Sequence, residues 1–213
     1  MNDRKIEPDE PLASEDEGRL EFYALLARLF AAGPDDALLH ALVHSAGSVE
    51  GDGELARAWN DLVTAAAHTS ARDATLEFDA TFIGVGKAPV STYLSHYFPV
   101  ARKEAVLVEL RETLARLGLV RTAASAEPED NLASVLEVMR HLVATGSDAQ
   151  SLQHQREFFS RYLQPAYRGF CDAAHKVKLS AYFKAAVRLL EVFVDSDLAQ
   201  FEMTEATLGE SLR

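Results

Sequence analysis

Apolar residues return every three or four positions along nearly the whole of this chain, and that spacing constrains its fold more than any other feature. A period near 3.6 lines one face of an α-helix, whereas a half-buried strand needs strict alternation. Alternating stretches are essentially absent. In GRLEFYALLARLF (18–30), Phe22, Leu25, Leu26 and Leu29 form one stripe, and Gly33-Pro34 stops the helix. Further helices are predicted over 35–47, 53–70, 71–84 and 101–118, the third of these ending in the loop FIGVGKAPVSTYLSHYF (82–98). EPEDNLASVLEVMRHLVATG (127–146) is the cleanest: Pro128 suits a first helical turn, and Glu127, Glu129 and Asp130 suit the positive end of the helix dipole. Leu132, Val135, Leu136, Met139, Leu142 and Val143 form its apolar face. Ser147 with Gln150 reads as a capping box for the next helix, which runs through 152–175 with a kink expected at Pro165. The stretch 178–195 is so apolar that it should lie at the centre.

These elements predict an all-α fold, a single compact bundle of roughly eight helices with a long loop near 84–98. The helical domain is expected over 17–196. Residues 1–16 form an acidic tail without the apolar residues that ordering requires, and 197–213 read as an acidic, partly frayed end. The formal net charge of −12 argues against non-specific nucleic-acid binding, which needs basic surface, and is compatible with a basic partner. The one cysteine, Cys171, excludes an internal disulfide and reads as a core residue. No apolar run approaches the roughly 18 residues of a membrane span, and the acidic start lacks a signal-peptide core. The expected setting is cytoplasmic, with no direct membrane insertion.

The familiar chemistries fail on counted positions. GVGK invites a phosphate-loop reading, but Thr81 stands where that motif needs its first glycine, and Ala88 where it needs Ser or Thr. Pro89 occupies the third glycine position of a dinucleotide fingerprint. His40 and His44 share a helix face without an evident third ligand, so they read as surface histidines. There is no G-x-S-x-G elbow, and Ser95-His96 are neighbours in sequence rather than a triad. No catalytic residue, metal or cofactor is therefore expected. Recognition remains: Pro89, Tyr93, Tyr97 and Phe98 are rigid groups of the kind found at peptide-binding surfaces. An apolar groove with an acidic rim is a standard peptide holder, and Glu127, Glu129 and Asp130 offer such a rim to arginines. The same aromatics could equally pin a long loop to the bundle, and the residues alone leave both readings open.

Two motifs in order then resemble the TorD/DmsD/NarJ family of redox-enzyme maturation chaperones. In the first, Phe78 and Phe82 end a helix, Gly84 and Gly86 follow, then Pro89, and Tyr93, Ser95 and Tyr97 match an aromatic-x-S-x-Y element. In the second, Glu127, Pro128 and Asp130 match E-P-x-D-H, and Glu137 and Met139 match the helix after it. The flanks FYALLARLF and REFFSRYLQPAYRGF fall in the expected order, so the resemblance covers most of 17–195. Asn131 stands where the family usually has histidine, and Tyr93 and Tyr167 where tryptophan is common, which marks a divergent member.

The resemblance implies a cytoplasmic chaperone rather than an enzyme. Such a protein holds the N-terminal leader, often a twin-arginine signal, of a molybdenum or tungsten oxidoreductase subunit until the cofactor is inserted. Its partners would be the leader peptide and the apo form of a molybdopterin oxidoreductase catalytic subunit. Its peptide-binding residues would be Pro89, Tyr93, Ser95, Tyr97, Glu127, Pro128, Asp130 and Asn131. Other classes stay open from the residues: a small helical nucleotide-responsive protein or enzyme using the Gly-rich loop, or a stable structural partner subunit of an oxidoreductase. The chain is expected as a monomer or as a homodimer swapped through its long loop.

Overall fold

The computed structural model describes residues 14–84, 87–119 and 128–211, with side chains over 15–84, 87–119 and 128–203. Among the described residues the fold is all helical. The α segments are α1 (Ser14–Ala31), α2 (Asp36–His44), α3 (Glu54–Ala67), α4 (Ala71–Phe78), α5 (Lys103–Arg116), α6 (Leu132–Ala144), α7 (Ala149–Phe158), α8 (Gln164–His175) and α9 (Ala181–Ser211). A π-helical turn, Phe159–Leu163, makes α7 and α8 one continuous rod, so the bundle has 8 helices among the described residues. That turn answers the expectation of a kink at Pro165. The proline has no N–H for the i−4 carbonyl, and its ring would crowd it. The ladder instead widens just before the proline, with the Gln164 N–H reaching the Phe159 carbonyl.

Local chemistry moves two predicted helix starts. Asn131 caps α6, its side-chain oxygen accepting the Ala133 N–H (2.9 Å), so Pro128, Glu129 and Asp130 form a turn before the helix and not its first turn. Asp148, and not Ser147, caps α7: its carboxylate accepts the N–H groups of Gln150 (2.9 Å) and Ser151 (3.1 Å).

The core runs the length of the bundle. The first half of α9 is central as expected, with Tyr182, Phe183, Ala186, Val187, Leu189, Leu190, Phe193 and Val194 all buried. Burying each large side chain contributes about 1.5–3 kcal/mol against the entropy of ordering it. Helix α1 packs along α6, α3 along α9, and α8 along α9.

Charges also hold α1 in place. Arg19 donates to Asp197 (2.6 Å), Asp16 (2.9 Å) and Gln155 (3.1 Å), all buried, and the Tyr23 hydroxyl donates to Asp197. Burial works against the Arg19 charge, but the Asp197 carboxylate more than offsets it and leaves the guanidinium pKa raised. Burial and the same carboxylate push the Tyr23 phenol well above its ordinary value. The expected domain ends at 17 and 196 therefore fall inside helices: Asp16 and Asp197 both belong to this buried network.

Candidate functional site

The loop after α4 is built by termination and then by pinning. A second π turn, Asp79–Ile83, ends α4, and its last bond runs from the Gly84 N–H to the Asp79 carbonyl (2.7 Å). Gly84 has φ +65°, and a Cβ there would lie 2.7 Å from the Ala88 Cα, so the turn requires glycine. No phosphate cradle follows among the described residues; Gly86 lies outside them. Instead the Val90 N–H turns back to the Thr81 carbonyl (3.0 Å), and the chain runs on toward residue 131.

There the two motifs meet. Tyr93 and Asn131 form an antiparallel bridge: the Leu94 N–H donates to the Asp130 carbonyl and the Leu132 N–H to the Thr92 carbonyl, both at 2.8 Å. Side chains lock the bridge. The Asp130 carboxylate accepts the Ser95 N–H (3.2 Å) at the start of the short 3₁₀ turn Leu94–Tyr97. The Asn131 amide donates to the Thr92 hydroxyl (3.2 Å) while its oxygen caps α6. A neutral amide supplies both donor and acceptor, so no cation is needed at a position where histidine is usual.

Tyr97 completes the wall. Its hydroxyl donates to the Ser91 carbonyl (2.7 Å), and burial pushes its pKa up to about 12. Its ring rests on α8 at Gly169, where a Cβ would come within 2.9 Å of the ring. Glycine is needed there for close approach, since the ring leaves no room for any side chain.

The result is a cavity of about 510 Å³. Phe30, Phe78 and Phe82 form an aromatic side, with Phe82 packed edge-on to Phe30 at 6.1 Å. Ser91, Thr92, Tyr93, Tyr97 and Asn131 face them. Lys87 is the charged residue of its lining, His96 is the protonatable one, and no carboxylate joins them among the described residues. Burial, then Lys103 and Lys87, hold the His96 pKa below its ordinary value.

Of the residues expected to bind peptide, Pro89, Tyr93, Tyr97 and Asn131 line this cavity. Ser95 and Asp130 stand behind it, joined to each other, with Pro128 in the turn that leads to them. Glu127 lies outside the described residues. Of the expected acidic rim, Asp130 is only 3% exposed, with its carboxylate accepting from Ser95, and Glu129 pairs with Arg111 at 3.2 Å. A carboxylate that close to a bare backbone N–H is better used as a cap than as a handle for solvent-borne arginines. Phe30, Ala31 and Ala173 were not legible as lining, because only packing brings the ends of α1 and α8 here. His40 and His44 are exposed and stacked at 6.2 Å, and no metal-holding group of three ligands occurs among the described residues. Cys171 is buried, and burial pushes its thiol up to about 12. No helix among the described residues is long and apolar enough to cross a membrane.

Both motifs lie inside residues 49–172, which match the family described as "Nitrate reductase delta subunit". The chain belongs to this family. It is the NarJ/TorD-type family of chaperones, whose members bind oxidoreductase subunits during maturation and are not themselves enzymes. A comparison with curated proteins finds no match. Within the nitrate reductase delta family frame, the bridge between 92–94 and 130–132 gives the pairing of the two motifs a physical reason: neither segment has an internal ladder, and each supplies the other's backbone partners.

Proposed function

We propose that this protein is a cytoplasmic maturation chaperone that binds the N-terminal leader of a molybdenum or tungsten oxidoreductase subunit, twin-arginine signals included. It holds the leader until the cofactor is inserted and the subunit assembles. The observation that carries this reading is the cavity formed where the two motifs are bridged. An apolar stretch of leader enters against Phe30, Phe78 and Phe82, and its backbone exchanges water for the hydroxyls opposite. Pro89, Tyr93 and Tyr97 touch the segment. Ser95, Asp130 and Asn131 act by holding the wall in register. With Lys87 and His96 at the lining, the leader's arginines lie clear of this cavity.

The work is binding and release, with no bond made or broken. Calorimetry against leader peptides of the molybdoenzyme subunits encoded in the same genome tests it. A micromolar or tighter complex, about −8 kcal/mol, is expected with at least one of them. Tyr93→Ala should weaken it, since Tyr93 is 39% exposed and lines the cavity. Heat from none of those leaders would sink the reading.

A further inference from the structure

A second concavity lies away from the bridged loop, between α1, α2, α3 and the turn at 45–50, with a volume of about 530 Å³. Phe22, Leu25, Leu38, Leu42, Val49 and Trp59 line it. The expected core stripe of α1 is thus divided: Leu26 and Leu29 are fully buried, while Phe22 and Leu25 stay half-exposed along this groove. Small residues, Gly18, Ala41, Ser45 and Ser48, complete the lining and leave it open. Its charged residues are Glu21 and Glu50, both exposed and held in no ion pair among the described residues. Glu17, one turn before Glu21 on the same face of α1, is exposed beside them.

Trp59 adds an independent sign of a missing partner. It is 7% exposed, and its indole N–H is buried without an acceptor among the described residues. A buried donor left unpaired costs free energy that a ligand carbonyl can restore. The Phe22 ring packs edge-on against the indole at 5.9 Å and stacks on Phe193 at 5.2 Å.

We infer that this groove docks an apolar segment bearing arginine or lysine from the client subunit, distinct from the stretch held in the loop cavity. The inference rests on the chaperone reading for the source of the segment. The apolar residues fill the space over Leu25, Leu38 and Val49, a backbone carbonyl accepts from Trp59, and the cations face Glu21 and Glu50. The charge complementarity is specific: the loop cavity, of nearly equal size, has the cation Lys87 where the groove has two carboxylates. Most of the groove lining also lies N-terminal to the family-matched residues.

Trp59 is the single tryptophan of the chain, so its fluorescence reads the groove alone. The probe is a synthetic amphipathic peptide of leucine, alanine and arginine, about five helical turns or ~18 residues long. Titrating it should shift the Trp59 emission saturably. Glu21→Lys with Glu50→Lys, both at exposed positions, should weaken it by about tenfold or more. Tyr93→Ala should leave it unchanged, and the same peptide with glutamate for arginine should give no shift. The absence of a saturable shift, equal response to both peptides, or undiminished affinity in the charge-reversed protein would each overturn the inference. So would an emission that changes with protein concentration alone together with a doubled mass, which assigns the groove to a second copy of the chain. Leader calorimetry and Trp59 emission fail separately: leader heat with Trp59 silent to the arginine peptide removes the groove and keeps the cavity. A Trp59 response without any leader heat keeps the groove's chemistry and overturns the client as its source.

Discussion

The loop cavity and the α1–α3 groove are nearly the same size, about 510 and about 530 Å³, yet they are made in opposite ways. The cavity is irregular backbone, closed by hydrogen bonds between residues some forty positions apart in sequence. The groove is the seam between three consecutive helices, with sides of ordinary amphipathic faces. Their charged linings are of opposite sign, Lys87 against Glu21 and Glu50. Size therefore says little about what either takes. The sign of the few charged groups, in a setting where apolar contact is common to both, decides which segment each prefers.

The comparison can be broken most completely through the helix both sites share. Helix α1 gives Phe30 and Ala31 to the cavity and Gly18, Glu21, Phe22 and Leu25 to the groove, and Asp197 holds it through Arg19 and Tyr23. Asp197→Ala leaves the Arg19 charge buried without its main partner and should cost about 3–5 kcal/mol in a denaturant melt. Leader binding and the Trp59 response should fall together. If one survives while the other is lost, α1 is not the common support.

Gly169→Leu should separate them. The new side chain collides with the Tyr97 ring, and forcing it in should cost about 1–3 kcal/mol. Leader calorimetry should lose its heat while Trp59 still responds to the arginine peptide. Lys87→Glu sharpens the electrostatic half of the comparison with almost no structural change, since Lys87 is exposed. It should raise the cavity's affinity for an arginine-bearing leader by about threefold at low salt, an advantage that fades as salt is added.

The smallest effect is expected from His96. Its pKa is held below the ordinary imidazole value of about 6.5, so the folded chain resists the proton more than the unfolded chain does. Above that value the group is neutral in both states and contributes nothing. As pH falls through it, stability drops, until the lower folded value is also passed. The same protonation adds a positive charge at the cavity and should weaken an arginine-bearing leader there. Solvent screens an exposed ring, so the change is modest, and His96→Gln should flatten it in calorimetry run across mildly acidic pH. A slope that persists in that variant belongs to another group.

Much of this was legible in the order of the residues. Apolar spacing established the helices, the central place of 178–195 and the ends at Gly33-Pro34, because one face of each helix must be buried wherever it packs. The motif residues Pro89, Tyr93, Tyr97 and Asn131 could be named for the same reason that they stand out: aromatic and polar groups interrupt an otherwise helical pattern. What each of them does was not legible. Asp130 looked like an acid offered to arginines, and Asn131 like a weakened histidine, until the bridge to 92–95 showed both tied to backbone.

By itself, then, the sequence determined the all-helical class, the interrupting loop and the acidic character of the chain, which are properties of local periodicity and composition. The tertiary structure alone decided which carboxylates are caps and which remain free, where α1 exposes its stripe, and that two similar spaces carry opposite charge. Those depend on which remote backbone groups meet. A hydrogen-bonding partner or a buried neighbour changes what a side chain can do without changing anything in its own stretch of sequence.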